Sequence, residues 1–274
     1  MTLADIPAAI AMTDLEGWGY SAADFRRLHR LEPRGCLVAV SGGKRMGLTT
    51  AVSYGKAGWI GNVIVLPEFR GKGVGAELVG RATTYLQSIG VEAVRLNAYI
   101  NRVQFYEGLG FEGEYENIRF TGMAPVGGNL PASGSSRPNL DQIASFDRRF
   151  FGAPRGRLLA SLSNEFPGTF VSLGERKLRG YIVGQVSGDT CEIAPWVVDP
   201  AARGAARDLW AMLSPKVAGA TIGLSAPARS TTAMAVARWL GLRPVFRTLR
   251  MYLGKHAYGG RAEGIIGLGG LDKG

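Results

Sequence analysis

The residues best suited to do chemistry in this chain sit side by side: Val65-Leu66-Pro67-Glu68-Phe69-Arg70-Gly71-Lys72-Gly73-Val74-Gly75. An apolar, β-type run from Trp59 to Leu66 enters the segment through a proline, and a helical pattern from Gly75 to Ser88 leaves it. A strand feeding a glycine-rich turn at a helix N-terminus makes an anion cradle, because the first N–H groups of a helix have no partner inside it. Gly71, Gly73 and Gly75 let the main chain approach a ligand without side-chain obstruction. Arg70 and Lys72 add charge-assisted donors. The pattern is that of a phosphate or pyrophosphate site.

Spacing narrows the choice of anion. The dinucleotide fingerprint G-x-G-x-x-G would take Gly71 and Gly73 with Ala76 in its third place, and Glu92 stands near the distance of its ribose-binding acid, so spacing alone leaves it open. The P-loop is excluded, since no Gly-Lys-Ser/Thr closes the segment. A second element follows: Asn101-Arg102-Val103-Gln104-Phe105-Tyr106-Glu107-Gly108-Leu109-Gly110-Phe111. Together, Val-x-Pro-x-x-Arg-Gly-x-Gly-x-Gly and this Asn, Tyr, Leu-Gly-Phe series resemble the acetyl-CoA half-site of the GNAT (Gcn5-related) N-acetyltransferases. The two elements span Val63 to Phe111, and the flanking strand pattern extends the resemblance to roughly Thr2–Thr121.

The resemblance implies a chemistry and a set of roles. Acetyl transfer from a thioester to an amine needs the thioester held, its carbonyl polarised, the amine delivered neutral and the departing thiolate protonated. In the family a splayed strand holds the pantetheine arm, which falls here on Val63, Ile64 and Val65. The backbone of Arg70, Gly71, Lys72, Gly73, Val74 and Gly75 takes the pyrophosphate. Asn101 would cap the following helix and bind the coenzyme arm, and Tyr106 would be the acid for the leaving thiolate. A phenol near 10 lies above a thiol near 8.5, so the transfer is weakly driven and a positioned hydrogen bond suffices. A core tyrosine between Val103 and Leu109 is the structural alternative. Neither Trp59-Ile60-Gly61-Asn62-Val63 nor Val94-Arg95-Leu96-Asn97-Ala98 offers a carboxylate, so no general base is named. Water held by Asn62 or Asn97, or a contribution from the second domain, would have to serve. Trp18, Tyr20, Tyr54 and Trp59 are candidates to line an acceptor pocket, or simply core aromatics.

The elements that must position these residues read as an alternation. In the first half the pattern predicts a short strand at Ala8–Met12, a helix at Ser21–Leu31 with a Ser21/Asp24 capping box, and a hairpin of Cys36–Ser41 and Met46–Tyr54. Strand Gly58–Leu66, helix Gly75–Ser88, strand Glu92–Ala98, helix Val103–Leu109 and strand Glu112–Thr121 follow. The second half predicts helices at Leu140–Phe150 and Arg157–Phe166 and strands near Phe170–Leu173, Tyr181–Val186 and Glu192–Val198. Helix Ala201–Leu213, strand Thr221–Ser225, helix Thr232–Leu240 and strand Pro244–Leu253 complete it. The tail Gly259–Gly274 reads equally as a closing strand or as unstructured chain.

The halves repeat one another. Leu109-Gly110-Phe111 matches Leu240-Gly241-Leu242, and Val65-Leu66-Pro67 with Arg70-Gly71 matches Val198-Asp199-Pro200 with Arg203-Gly204. The expected fold is α/β: two GNAT-like domains, each a mixed, mostly antiparallel sheet flanked by helices. A catalytic unit over 1–124, a Pro/Gly/Ser-rich linker over 125–138 and a second unit over 139–274 are expected. Aligned through Arg203-Gly204, the second loop places Ala206 and Asp208 where Gly73 and Gly75 stand, and Ala237 where Tyr106 stands. Methyl groups and a carboxylate would crowd and repel a pyrophosphate, so the second unit is expected to keep the fold without the coenzyme, shaping a substrate pocket or a homodimer contact.

Charge and cysteine content bound the partners. The net charge of +10 is concentrated in residues 125–274, with 19 Lys/Arg against 10 Asp/Glu, while residues 1–124 hold 13 against 12. No run of five like charges or nucleic-acid motif accompanies it, so nucleic acid is discounted and the excess reads as solvated surface or as a field for anions. Two cysteines, two histidines and no Cys/His cluster give metal catalysis little support. No apolar run approaches the ~20 residues of a membrane span, and no signal peptide is apparent, so the cytoplasm is the expected compartment. The expected function is transfer of an acetyl group from acetyl-CoA to a primary amine of a small molecule. Acetylation of protein N-termini or lysines, or a non-catalytic acetyl-CoA sensor, are the alternatives.

Overall fold

A computed structural model of the chain describes residues 1–125, 139–174 and 177–274. In chain order the first half runs α1 (Ile6–Asp14), α2 (Ala22–Leu31), β1 (Leu37–Ser41), β2 (Lys44–Tyr54), β3 (Ala57–Val65), α3 (Val74–Ser88), β4 (Ala93–Tyr99), α4 (Val103–Glu107) and β5 (Glu112–Met123). The second half runs α5 (Leu140–Phe151), α6 (Gly156–Glu165), β6 (Phe170–Leu173), β7 (Gly180–Ser187), β8 (Thr190–Val198), α7 (Ala205–Leu213), β9 (Thr221–Pro227), α8 (Thr231–Trp239), β10 (Arg243–Gly254) and β11 (Ile265–Gly267). The α/β architecture expected from the sequence is present. The expected linker, beyond Pro125, lies outside the described residues.

Local chemistry accounts for most boundaries. The Ser21 side chain accepts from the Asp24 amide at 3.3 Å while Asp24 accepts from the Ser21 amide at 2.9 Å, closing the capping box of α2. One expectation fails: Ala8–Met12 lies within helix α1 and is not a strand. Pro7 sits in its first turn, where its missing N–H costs nothing. Its buried residues Ile6, Ala9, Met12 and Thr13 recur at helical spacing, a period that a five-residue window cannot reveal.

The strands form one sheet in the order β1-β2-β3-β4-β10-β5-β9-β8-β7-β6, with β11 added along β8. The order is a palindrome of the two halves, except that their last strands are exchanged. Strand β10 pairs with β4 of the first half, and β5 pairs with β9 of the second. The exchanged strands also pair with each other at the centre. Helices α1 and α2 share one core with α5 and α6, around Trp59, Phe151 and Tyr181. On the other face α3 and α4 cover the first half, and α7 and α8 the second.

Two buried ion clusters fix this arrangement. Within the second half, Arg155 donates to both oxygens of Asp147 at 2.8 and 2.9 Å, and the Tyr181 hydroxyl donates to the same carboxylate. At the centre, Glu114 is the extra residue of a β-bulge in β5, which aims its side chain inward between Arg95 of β4 and Arg250 of β10. Glu114 thereby ties both halves together.

Candidate active site

Strands β3 and β4 run parallel and then part. They pair at Ala57↔Ala93, Gly58↔Val94 and Trp59↔Arg95, and nowhere beyond. From Ile60 to Val65 the edge of β3 facing β4 is therefore unpaired, while its other edge stays bonded to β2. At the parting a β-bulge sets Asn62 and Val63 against the single residue Thr49. Asn62 there adopts a left-handed conformation, φ 51°, uncommon for a side-chain-bearing residue. Its amide nitrogen donates to Thr50 Oγ1 at 3.2 Å. Bulges of this kind re-aim a strand edge. No periodicity in the sequence announced it.

Past the open edge lies the glycine-rich loop. Gly71 and Gly73 have φ of 74° and 79°, and a Cβ at either would meet nothing within 4 Å. Gly73 is the N-cap of α3. The loop is exposed, and among the described residues the N–H groups of Gly71, Lys72, Gly73, Val74 and Gly75 have no hydrogen-bond acceptor. These converging, unpartnered donors at a helix N-terminus are what a diphosphate requires. The two cationic side chains are used differently from expectation. Arg70 braces the loop, donating to Val65 O at 2.8 Å and to Glu16 at 2.6 Å, and Lys72 donates to Glu68 O at 2.9 Å. They hold the cradle in shape; its main chain presents the donors.

Tyr106 is carried by α4, which packs beside this loop: Phe105 lies 3.5 Å from where a Gly75 Cβ would stand. The Tyr106 ring is buried between Phe105 and Phe111, and its hydroxyl has no partner among the described residues. Burial pushes the phenol up to about 12, with Arg102 opposing weakly, so it stays protonated across ordinary pH. Asn101 departs from its expected role. It is exposed within a 3-10 turn, Ile100–Arg102, and Arg102 occupies the N-cap of α4, so Asn101 caps no helix. Glu92, the spacing match for a ribose-binding acid, is at the far end of β4 in ion pairs with Lys56 and Lys255.

The second half shows the same fork with opposite use. Strands β8 and β9 also pair at three positions, Thr190↔Thr221 to Glu192↔Gly223, before parting. There the freed edge of β8 is occupied by β11, through Ile265↔Val197 and Gly267↔Trp196, and Leu268 N donates to Ser225 O on β9 at 2.8 Å. The loop is two residues shorter, so Gly204, φ 79°, is the N-cap matching Gly73, and Ala206 matches Gly75; the expected match of Asp208 to Gly75 is corrected. Part of its main chain is already paired: Ala201 donates to Asp199 Oδ1, Ala202 to Asp199 O and Ala205 to Ala202 O, while Gly204 and Ala206 have no acceptor among the described residues.

The aromatics divide. Trp59 and Tyr54 are core residues packed against Phe151, and Trp18 and Tyr20 are partly exposed at the edge of the same cluster. Cys36 and Cys191 are buried free thiols. No described helix is long and apolar enough to cross a membrane.

Comparison with known proteins agrees with this geometry. Residues 8–111 match the model of the acetyltransferase (GNAT) family, and residues 143–267 match a second acetyltransferase (GNAT) domain model. A holothin acyltransferase from Pseudoalteromonas sp. (strain SANK 73390) is 24% identical over 249 residues, covering 89% of this chain and 83% of that protein. A crystal structure of a putative acetyltransferase from Pyrococcus horikoshii superposes with a TM-score of 0.85 at 21% identity, over 100% of this chain and 94% of the other. A tandem GNAT protein from the clavulanic acid biosynthesis pathway gives 0.63 at 14% identity, over 92% and 94%. Both structural likenesses bear on the fold.

Proposed function

The chain belongs to the GNAT acyltransferase family, with two such units in tandem, and on that premise we propose that it transfers an acetyl group from acetyl-CoA to a primary amine of a small molecule. One observation carries the reading. Among the described residues, only the fork between β3 and β4 has both a strand edge without a strand partner and unpartnered loop amides, whereas the fork between β8 and β9 is filled by its own chain. Coenzyme binding therefore belongs to the first unit, 1–124, and the second unit, 139–274, supplies surroundings.

In this reading the edge of Val63, Ile64 and Val65, which has no strand partner towards β4, hydrogen-bonds the pantetheine arm through the groups not taken by Arg70, which already holds Val65 O. The amides from Gly71 to Gly75 take the diphosphate, with Arg70 and Lys72 holding their loop. The bound coenzyme supplies an activated acyl group and a thiolate leaving group. Tyr106, kept neutral by burial, donates its proton to that sulfur. An enclosed acceptor is supported by the chain from Leu268 to Gly274, which packs on Gly61 of β3 and is bonded to Asn97 of β4, with Asp272 and Lys273 buried. A fork covered on that side by its own chain suits a small amine better than a folded protein. Kinship to a protein named for acyl transfer supports the reaction class.

The test is thiol release from acetyl-CoA across amino acids, polyamines, aminoglycosides and peptides. Tyr106→Phe is expected to lower kcat about 100-fold with coenzyme affinity unchanged. Full activity in that variant would remove Tyr106 from the mechanism. Coenzyme binding without thiol release from any amine would leave a sensor instead.

A further inference from the structure

The acid-free fork of the first half is entered from below by the end of the second. After β11 the chain crosses beneath β3 and β4 and closes a helical turn, with Gly274 N donating to Gly270 O at 2.9 Å. Three contacts hold it there. Asn97 of β4 donates to Leu271 O at 2.7 Å, Tyr54 of β2 donates to Lys273 O at 2.9 Å, and Arg155 donates to Gly274 O at 2.6 Å. The main chain of Asp272 presses on Gly61 so closely that a Cβ there would stand 2.5 Å from Asp272 Cα. Gly61 immediately precedes Asn62, the bulge residue where β3 leaves β4.

Asp272 is the carboxylate that the strands of the fork lack. It is 4% exposed. Lys273 holds its Oδ1 at 2.7 Å, and its Oδ2 is buried with no partner within hydrogen-bond distance among the described residues. An orphaned carboxylate oxygen in a protein interior is costly unless a ligand or proton meets it. The neighbouring polar groups are similarly incomplete. Asn117 donates to Asn97 Oδ1 at 2.7 Å, yet Asn117 Oδ1 and Thr248 Oγ1 are buried and unpartnered among the described residues. Of the charged and titratable groups around Asp272, Lys273 pairs with it, while the Tyr20 and Tyr54 phenols face it from the chain before α2 and from β2. Asp24 and Arg27 stand behind Tyr20 and Lys273, and Arg155 behind Tyr54.

We infer that Asp272, contributed by the second half, is the catalytic base that takes the acceptor's proton at the first half's fork. This rests on the acetyl-transfer reading above. As the amine lone pair forms the new C–N bond, an N–H bond breaks and its proton passes to Asp272 Oδ2. The C–S bond breaks with its electron pair on sulfur, and Tyr106 protonates that sulfur. Asp272 then gives its proton to solvent and the Tyr106 phenolate takes one from solvent, which restores both groups. A carboxylate is too weak a base for a free alkylammonium, but nitrogen turns acidic as the C–N bond forms, so transfer concerted with attack is feasible.

The experiment compares wild type, Asp272→Asn and Asp272→Glu, with acetyl-CoA and whichever panel amine wild type acetylates. Calorimetric titration of CoA and thermal melting run alongside. Asp272→Asn is expected to lower kcat/KM about 100-fold and to erase the acid limb of its pH profile. CoA affinity should stay within twofold, and Asp272→Glu should restore part of the rate. Unchanged rate and pH profile in Asp272→Asn overturn Asp272 alone, as does a loss of rate that tracks lost CoA affinity or melting temperature. Wild type that binds CoA but releases no thiol overturns the transfer reading and the base with it.

Discussion

Gly73→Glu is expected to weaken CoA binding about 100-fold relative to Gly73→Ala, roughly 3 kcal/mol, with both variants folded. At φ 79° any L side chain carries a strain of about 1 kcal/mol, and this is common to the two variants. No atom lies within 4 Å of the added Cβ, so neither variant suffers a packing clash. What separates them is a carboxylate set among unpartnered amides at the N-terminus of α3. It would satisfy those donors itself and repel a diphosphate. Isothermal titration of CoA into both variants measures the difference. Equal affinities would mean that the loop does not hold the diphosphate.

Glu114→Gln is expected to destabilise the protein by roughly 3–5 kcal/mol, because it strands two buried guanidiniums at the seam between the halves. Arg95 and Arg250 are both buried and both pair with Glu114, whose own side chain is 5% exposed. Burial alone would raise the Glu114 carboxyl, but Arg250 and Arg95 outweigh it and hold the pKa below the ordinary glutamate value. A depressed folded-state pKa means that this stabilisation is present above the unfolded glutamate value of about 4.3. It disappears as pH falls through the lower folded value. Wild type should therefore lose stability below about pH 4, with a smaller acid dependence in the glutamine variant. Urea unfolding of both proteins between pH 3 and 7 tests this. A change below about 1 kcal/mol would show that the seam does not depend on the triad.

Most of the glycine-rich loop's geometry was legible because its signals are local. A glycine at positive φ, an open helix N-terminus and a strand ending in proline are properties of consecutive residues, so Gly71, Gly73 and the start of α3 could be read directly. Helix α1 was misread because Ala8–Met12 is too short an apolar run for its period to show. The second loop was aligned two residues out of step, because its shortening lies between a matching proline and a matching helix. Asn101 was given a cap that the intervening 3-10 turn assigns to Arg102.

By itself the sequence determined the family, the tandem repeat and the position of the glycine-rich turn before α3, since each depends on residue order and on main-chain preferences set by near neighbours. Long-range pairing decided the rest. Only the folded sheet shows β5 and β10 exchanged between halves, β11 filling the second fork, and Asp272 brought against Gly61 across most of the chain. Contacts between residues so distant are set by the whole packed core, and no local pattern encodes them.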